Sequence, residues 1–161
     1  MSKILITGAA GFIGMHLSIR FLKNGIDIIG LDNLNDYYDF NLKKNRLIEV
    51  KKVANLKDSG SFIFYQNDLN DDNFWNEIKK HGITSVIHLA AQAGVRYSLK
   101  NPELYLKSNV FGFQKVIDFC INNSIKKLIY ASSSSVYGKI SNQPFKEDEP
   151  CNIPESYYAA T

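Results

Sequence analysis

Three glycines near the start of the chain are spaced for binding a phosphate group. Gly8, Gly11 and Gly14 occur in the segment KILITGAAGFIG, after four apolar or β-branched residues and before a stretch with helical periodicity. Between a buried strand and a helix, such glycines permit a tight turn, close approach of a pyrophosphate and close helix packing. The free N–H groups and the positive end of the helix dipole then face the phosphate charge. The segment therefore predicts a dinucleotide site.

An aspartate at the end of the second predicted strand indicates which dinucleotide is bound. Asp32 ends the predicted strand 26–32, eighteen residues after Gly14. A carboxylate there can accept hydrogen bonds from both adenosine ribose hydroxyls and would repel a 2′-phosphate, which favours NAD over NADP. The alternative is a helix cap or a turn aspartate without a ligand, but the preceding glycine turn favours the ribose role.

Two later strand ends carry further candidates. Asp68 follows the predicted strand 61–67 and could accept the adenine amine, or could instead cap the predicted helix 71–81. The predicted strand 84–89 is followed by small residues, which leave room for a cofactor to pass. His88 lies inside that apolar strand, so a core histidine with satisfied hydrogen bonds is favoured over a general base.

Strand and helix patterns alternate along the whole chain. The remaining predicted helices span residues 12–24, 41–55 and 102–122, and the remaining predicted strand spans residues 128–132. Right-handed crossovers then give an α/β fold with a doubly wound parallel sheet of order 3-2-1-4-5, a Rossmann fold. The apolar side expected for the first helix consists of Ile13, Leu17 and Phe21. The apolar stripe expected for the long helix consists of Leu106, Val110, Phe113, Ile117 and Cys120.

Composition indicates an ordinary globular protein. The 161 residues are 45% hydrophobic and 22% charged, with a formal net charge of +3, which fits one domain with a real core. The lysines of residues 42–57 are expected to form a solvated helix face, so no nucleic-acid partner is predicted. Cys120 and Cys151 lack metal or redox spacing, and neither a signal peptide nor a membrane span is evident. We therefore expect a cytoplasmic protein without membrane, metal or disulfide.

Several segments together resemble the extended short-chain dehydrogenase/reductase family, the NAD-dependent epimerases and dehydratases. They are TGAAGFIG, NDYYD, HLAAQAGVRYS, NPxxYxxSNVxGF, YASSSSVYG and YAAT, and they cover essentially the whole chain. The combination is most similar to the UDP-glucuronate 4-epimerase group, and UDP-galactose 4-epimerases are more distant. The resemblance implies NAD as cofactor, a UDP-sugar as substrate, and epimerisation by transient oxidation at C4.

The resemblance also implies roles for individual residues. Tyr158, twenty-five residues after Ser133, matches the general base that acts on the sugar 4-hydroxyl. Ser133 matches the serine that shares the hydroxyl proton, and Ser135 matches a hydroxyl that contacts the sugar. The cofactor-binding positions implied are Gly8, Gly11, Phe12, Ile13, Gly14, Asp32, Asn33, Asp68, Leu69, Leu89, Ala90, Ala91, Gln92, Asn109 and Ser132. Arg96 could pair with a uronate or phosphate, or could equally be a surface arginine.

The chain ends before other parts of the family pattern. The family has a lysine four residues after the tyrosine, which would be residue 162 here, and a C-terminal region that contacts the nucleotide-sugar. We therefore expect residues 1–161 to be the NAD(P)-binding domain, incomplete at its C-terminal end, of a homodimeric parent that pairs through the helix 102–122. The 161 residues alone are expected to be inactive.

Two other functions remain open on the sequence. One is a dinucleotide-binding module without catalysis, and the other is a different nucleotide-sugar enzyme, such as a UDP-glucose 4-epimerase or a 4,6-dehydratase. Dehydration is disfavoured because dehydratases of this family carry an acid–base pair, typically Asp-Glu, where this chain has Ser134 and Ser135.

Overall fold

Five parallel strands form the centre of the molecule. A computed structural model describes residues 3–139 and 144–161 and places the strands in the order β3-β2-β1-β4-β5. The strands are β1 (Lys3–Thr7), β2 (Asp27–Asp32), β3 (Phe62–Gln66), β4 (Ser85–His88) and β5 (Leu128–Tyr130). Thr7 pairs with Leu31 on one side and with His88 on the other, so the carboxyl ends of three strands lie level. The predicted sheet order is confirmed.

Helices connect successive strands and cover both faces of the sheet. They are α1 (Phe12–Lys23), α2 (Phe40–Ala54), α3 (Asp72–Ile78), α4 (Val95–Ser98), α5 (Pro102–Tyr105), α6 (Gly112–Asn122) and α7 (Tyr157–Ala160). Single 3₁₀ turns occur at Lys79–His81 and Ser134–Tyr137, and a π-helical turn, Leu106–Phe111, joins α5 to α6. The sequence did not predict α4.

Alternate residues of the central strand, β1, pack into two separate hydrophobic cores, one on each face of the sheet. Leu5 packs on one face with Phe74 of α3 and Val116 of α6, and all three are buried. Ile6 packs on the other face with Leu22 of α1. Because successive strand side chains point to opposite faces, a strand buried on both sides reads as a continuous apolar run.

The first helix buries a different side from the one predicted. Its buried residues are Gly14, Ser18 and Leu22. The prediction of an Ile13, Leu17 and Phe21 face is wrong for Ile13, which is 60% exposed; the other two are half-buried. A Cβ at Gly14 would overlap the carbonyl of Gly8. The helix thus approaches the turn closely through small residues, which an apolar pattern does not count.

The long predicted helix is interrupted by its π-helical turn. A π-helical turn accommodates more residues than an α-helical turn, so it rotates the buried side of the α6 segment after it. Tyr105 is buried before the turn, and Val116 and Phe119 are buried after it. The predicted stripe is therefore wrong for Leu106 and Val110, which are 37% and 41% exposed.

Within residues 3–139 and 144–161, no helix is long and apolar enough to cross a bilayer. Cys120 is buried and Cys151 is exposed, and both are free thiols.

Candidate functional site

Two cavities at the carboxyl edge of the sheet share residues 89–91 as a common wall. The first has a volume of about 200 Å³ and the second about 150 Å³. Predicted site residues that line the first are Gly8, Gly11, Asp32, Asn33, Asp68, Leu69, Leu89, Ala90, Ala91 and Gln92. Those that line the second are Leu89, Ala90, Ala91, Asn109, Ser132, Ser133, Ser135 and Tyr158. Within the described part of the chain, Phe12, Ile13, Gly14 and Arg96 line neither.

The glycine turn forms one wall of the first cavity. Gly8 has a φ of +71°, and a Cβ there would lie 2.8 Å from the backbone nitrogen of Ala90. Gly11 donates its N–H to the carbonyl of Gly8 at 2.9 Å and is the N-cap of α1. A glycine cap has no side chain to occupy the first N–H groups of this twelve-residue helix. The turn therefore has the shape and the free donors that a phosphate requires.

Asp32 is held in place by backbone donors on both sides. One carboxylate oxygen accepts the N–H of Ala10 at 3.1 Å, and the other accepts the N–H of Leu34 at 2.9 Å. The carboxylate is half-buried, lines the first cavity and retains lone pairs for further donors. This geometry fits a carboxylate that receives the hydroxyls of a ribose.

Asp68 lines the same cavity as Asp32 and does not cap a helix. The N-cap of α3 is Asp71, so the alternative that Asp68 caps this helix is wrong. Desolvation raises the pKa of Asp68, but hydrogen bonds from Asn70 and Asn33 outweigh it and hold the pKa below its usual value. Asp68 is therefore a carboxylate at neutral pH, tied to Asn33 at 3.3 Å.

Lys43 belongs to the first cavity, although the sequence placed it on a solvated face. It is 4% exposed, and its Nζ donates to both the backbone and side-chain oxygens of Asn35 at 2.7 Å. Burial lowers the pKa of Lys43, against the nearby charge of Asp32. The prediction of a solvated lysine face is therefore wrong here. Apolar periodicity cannot identify such a residue, because the loop 33–39 that contains its partner Asn35 comes close to Lys43 only in the folded chain.

Tyr37, in the loop 33–39 after β2, and Tyr105, at the end of α5, both bond to the segment that follows β4. The hydroxyl of Tyr37 donates to the carbonyl of Ala93 at 2.9 Å. The hydroxyl of Tyr105 donates to the carbonyls of Ala93 and Gly94, at 2.8 and 2.6 Å. A Cβ at Gly94 would lie 2.8 Å from the hydroxyl of Tyr37. The loop after β2 thus bridges one side of the first cavity, a contact that the sequence analysis missed.

The second cavity brings together the hydroxyl groups that the sequence singled out. Ser133 is the N-cap of the 3₁₀ turn, and its Oγ accepts the N–H of Ser135 at 3.2 Å. The two serine hydroxyls lie 3.3 Å apart. Tyr158, on α7, is half-buried and lines the same cavity. Residues separated by twenty-five positions in sequence thus share one site, open to hydroxyl-bearing ligands.

Asn109 connects the two cavities from within the π-helical turn. Its Oδ1 accepts the N–H of Gln92 at 2.8 Å, and its Nδ2 donates to the carbonyl of Gln92 at 3.0 Å and to Thr161 at 3.1 Å. Both amide hydrogens are therefore engaged within the protein. Direct contact of Asn109 with a cofactor, like the other roles implied by resemblance, stays a prediction.

The described part of the chain contains no group of three or more His, Cys, Asp or Glu residues suited to a metal ion. Arg96 is exposed on α4, so its contact with a substrate also stays a prediction.

A parallel sheet of this order, with a glycine turn after β1 and an aspartate at the end of β2, has the dinucleotide-binding fold of the short-chain dehydrogenase/reductase class. A family model described as GDP-mannose 4,6 dehydratase matches residues 5–161. The chain belongs to this family, within the extended branch of that class, the NAD-dependent epimerases and dehydratases.

Curated relatives and solved structures are similar over almost the whole chain. UDP-glucuronate 4-epimerase 4 of Arabidopsis thaliana is 45% identical over 160 residues, which are 98% of this chain and 35% of the relative. Protein CapI of Staphylococcus aureus is 44% identical over 99% of this chain and 46% of its own length. A crystal structure of UDP-glucuronic acid 4-epimerase from Bacillus cereus with NAD superimposes with a TM-score of 0.82 at 33% identity, over 98% of this chain and 47% of that one. The chain thus spans about half the length of such relatives, or less.

Proposed function

We propose that this chain binds NAD and is the cofactor-binding part of a nucleotide-sugar 4-epimerase. The observation that carries the proposal is the pair of adjoining cavities, one with the glycine turn and Asp32, the other with Ser133 and Tyr158. A cofactor that reaches from the first cavity past residues 89–91 would meet a substrate in the second. The 4-epimerases among the relatives, and their structures in complex with NAD, support this assignment.

The residues of the first cavity fit a dinucleotide without a 2′-phosphate. Asp32 would accept the ribose hydroxyls, and Asp68 would accept the adenine amine. The uncapped N-terminus of α1, with Phe12 and Ile13 in its first turn, would donate its N–H groups to the pyrophosphate. NAD, when bound, supplies a reversible hydride acceptor for a sugar carbon.

The residues of the second cavity would manage the proton of the sugar hydroxyl. Tyr158 would take this proton as general base when C4 is oxidised and return it when C4 is reduced. Ser133 would share it through a hydrogen bond, and Ser135, 3.3 Å from Ser133, would hold a neighbouring hydroxyl. These roles need hydroxyl groups in one cavity, which the fold provides.

UDP-glucuronate is the substrate that the relatives favour. Several curated relatives at 41–45% identity are named UDP-glucuronate 4-epimerases, and a UDP-glucuronic acid 4-epimerase of Bacillus cereus superimposes at 33% identity. Ser134 and Ser135 stand where a dehydratase would need its acid–base pair. We further propose that residues 1–161 form an NAD-binding domain, incomplete at its C-terminal end, of a homodimeric parent protein. For this parent we propose a cytoplasmic location and neither nucleic-acid nor membrane partners.

Two measurements test the proposal. Calorimetric titration of the purified chain with NAD and NADP tests the cofactor site, and we expect NAD to bind more tightly. The complete protein expressed from its gene, given UDP-glucuronate, should form UDP-galacturonate, and Tyr158→Phe should stop turnover while NAD still binds. Absence of NAD binding, or unchanged turnover in Tyr158→Phe, would contradict the proposal; loss of water from the sugar would indicate dehydration instead.

A further inference from the structure

The helix that carries Tyr158 is too short to set its own position. It consists of the single turn Tyr157–Ala160, capped by Ser156, whose Oγ accepts the N–H of Ala159 at 2.9 Å. One isolated turn is unstable in water, because nucleation fixes several residues for one hydrogen bond. The place of Tyr158 in the second cavity therefore depends on contacts from other parts of the fold.

One of these contacts comes from Ser98, which is fully buried at the end of α4. Its Oγ donates to the carbonyl of Val95 at 2.6 Å, which commits the hydroxyl proton inside α4. The same oxygen accepts the backbone N–H of Tyr158 at 3.2 Å, across sixty residues of sequence. Ser98 thus presents a lone pair, and not a proton, to α7.

Two other contacts complete the support of this turn. Asn109 donates to Thr161 at 3.1 Å, just beyond the turn. The ring of Tyr105 meets the ring of Tyr158 edge to face at 5.8 Å between centroids. Ser98 is the one of these three that bonds the backbone of Tyr158 itself.

We propose that Ser98 is a positioning residue, which fixes the backbone of Tyr158 and so places its hydroxyl for proton transfer in the second cavity. The inference rests on the proposed function of Tyr158. Ser98 lies outside both cavity linings among the described residues, so it acts through Tyr158 and does not touch the substrate. Its removal should therefore lower kcat and leave cofactor binding unchanged.

Hydrogen exchange in the 161-residue chain tests the contact without any activity. Ser98→Ala should speed exchange of the Tyr158 amide about five- to tenfold, as expected for one lost hydrogen bond, and leave the amides of β1 unchanged. Ser18→Ala is the matched control, because Ser18 is equally buried but its Oγ has no hydrogen-bond partner among the described residues. An unchanged Tyr158 amide in Ser98→Ala, or equal acceleration in Ser18→Ala, would overturn the proposal.

Turnover by the complete protein tests the consequence. In Ser98→Ala, kcat should fall about ten- to hundredfold, since small displacements of a catalytic group are costly. KM for UDP-glucuronate and bound NAD should stay unchanged. Ser98→Thr keeps the acceptor and should recover most of the lost kcat. If Ser98→Ala loses bound NAD in parallel with kcat, or if a folded Ser98→Thr recovers none of the lost kcat, Ser98 contributes only to packing and the proposal is wrong. If the wild type lacks epimerase activity, the proposed function fails, and the exchange experiment still decides the contact.

Discussion

The hydroxyl of Thr7 lies 2.7 Å from Nδ1 of His88 in the interior of the sheet. The same hydroxyl oxygen accepts the N–H groups of Leu89 and Ala90, each at 3.2 Å, so its proton is available for the imidazole. Nδ1 therefore accepts, and the network assigns the proton of the neutral ring to Nε2. Burial lowers the pKa of His88 to about 4. The burial of His88 and the bond of its Nδ1 agree with the interpretation as a core histidine that holds β1 against β4. His88 also lines the second cavity, so a role there stays open.

This burial predicts a loss of stability in mild acid. An unfolded histidine titrates near 6.5, so between pH 6.5 and about 4 the unfolded chain binds a proton at His88 that the folded chain does not. The free energy of unfolding should fall as the pH is lowered through this window, by up to about 3 kcal/mol. Urea titrations at pH 7.5, 6, 5 and 4.5 measure the slope.

Replacement of the histidine provides the control for this slope. His88→Gln should be less stable at pH 7.5 and should lose less on acidification. Burial also lowers the pKa of His81, so His81→Gln measures the part of the slope that this second histidine contributes. Equal pH slopes in the wild type and in His88→Gln would contradict the assignment.

Gly8 should tolerate no side chain. Gly8→Ala would add a Cβ at a φ of +71° and within 2.8 Å of the backbone of residues 89 and 90. Gly82 has a similar φ of +64°, but no atom lies within 4 Å of its added Cβ. Gly82→Ala should therefore cost only the conformational penalty, about 1 kcal/mol, and Gly8→Ala at least about 2 kcal/mol more, since rigid backbone must move. Urea denaturation compares them, and equal losses would show that the turn is not tightly held.

The sheet could be predicted because the residue types of its strands indicate that they are buried. The segments around Ile6 and Ile29 are continuous apolar runs, as expected for strands covered on both faces. Alternation with helices predicts a doubly wound parallel sheet, and the dinucleotide-binding glycine turn after the first strand favours the order 3-2-1-4-5. Helix faces were harder to predict. α1 contacts the turn through Gly14, and the π-helical turn rotates the side of α6 that carries Val116. Neither small contact residues nor a local change of helical pitch is visible in an apolar pattern.

In the candidate site too, some residues could be predicted from the sequence and others could not. Asp32, Ser133 and Tyr158 could be found because their types and spacing match strand ends and a family pattern. Lys43 and Ser98 could not, because each is polar, buried and paired with a residue that only the fold brings near. Such residues leave no signal in the hydrophobic periodicity, since their role depends on three-dimensional partners.

Lys43 should matter more to stability than its neighbour Lys44. Lys43→Ala would remove two hydrogen bonds from the buried ammonium to Asn35 and should lower the free energy of unfolding by about 1–3 kcal/mol. Lys44 is exposed and lies over the ring of Phe40 at 4.3 Å, so Lys44→Ala should cost less than about 1 kcal/mol. Chemical denaturation of both variants measures the difference. Equal effects would mean that Lys43 is solvated, as the sequence alone suggested.

Asp32 should decide which dinucleotide the chain prefers. Asp32→Ala would remove the acceptor for the ribose hydroxyls and should weaken NAD binding about ten- to hundredfold, as for a hydrogen bond to a charged group. It also removes the charge that would repel a 2′-phosphate, so the ratio of NADP to NAD affinity should rise. Asp27→Ala is the matched control, because Asp27 begins the same strand and accepts hydrogen bonds from Ser61 at the opposite end of the sheet. Calorimetry with both dinucleotides should show unchanged affinities for Asp27→Ala, and an unchanged NAD preference in Asp32→Ala would exclude the ribose role.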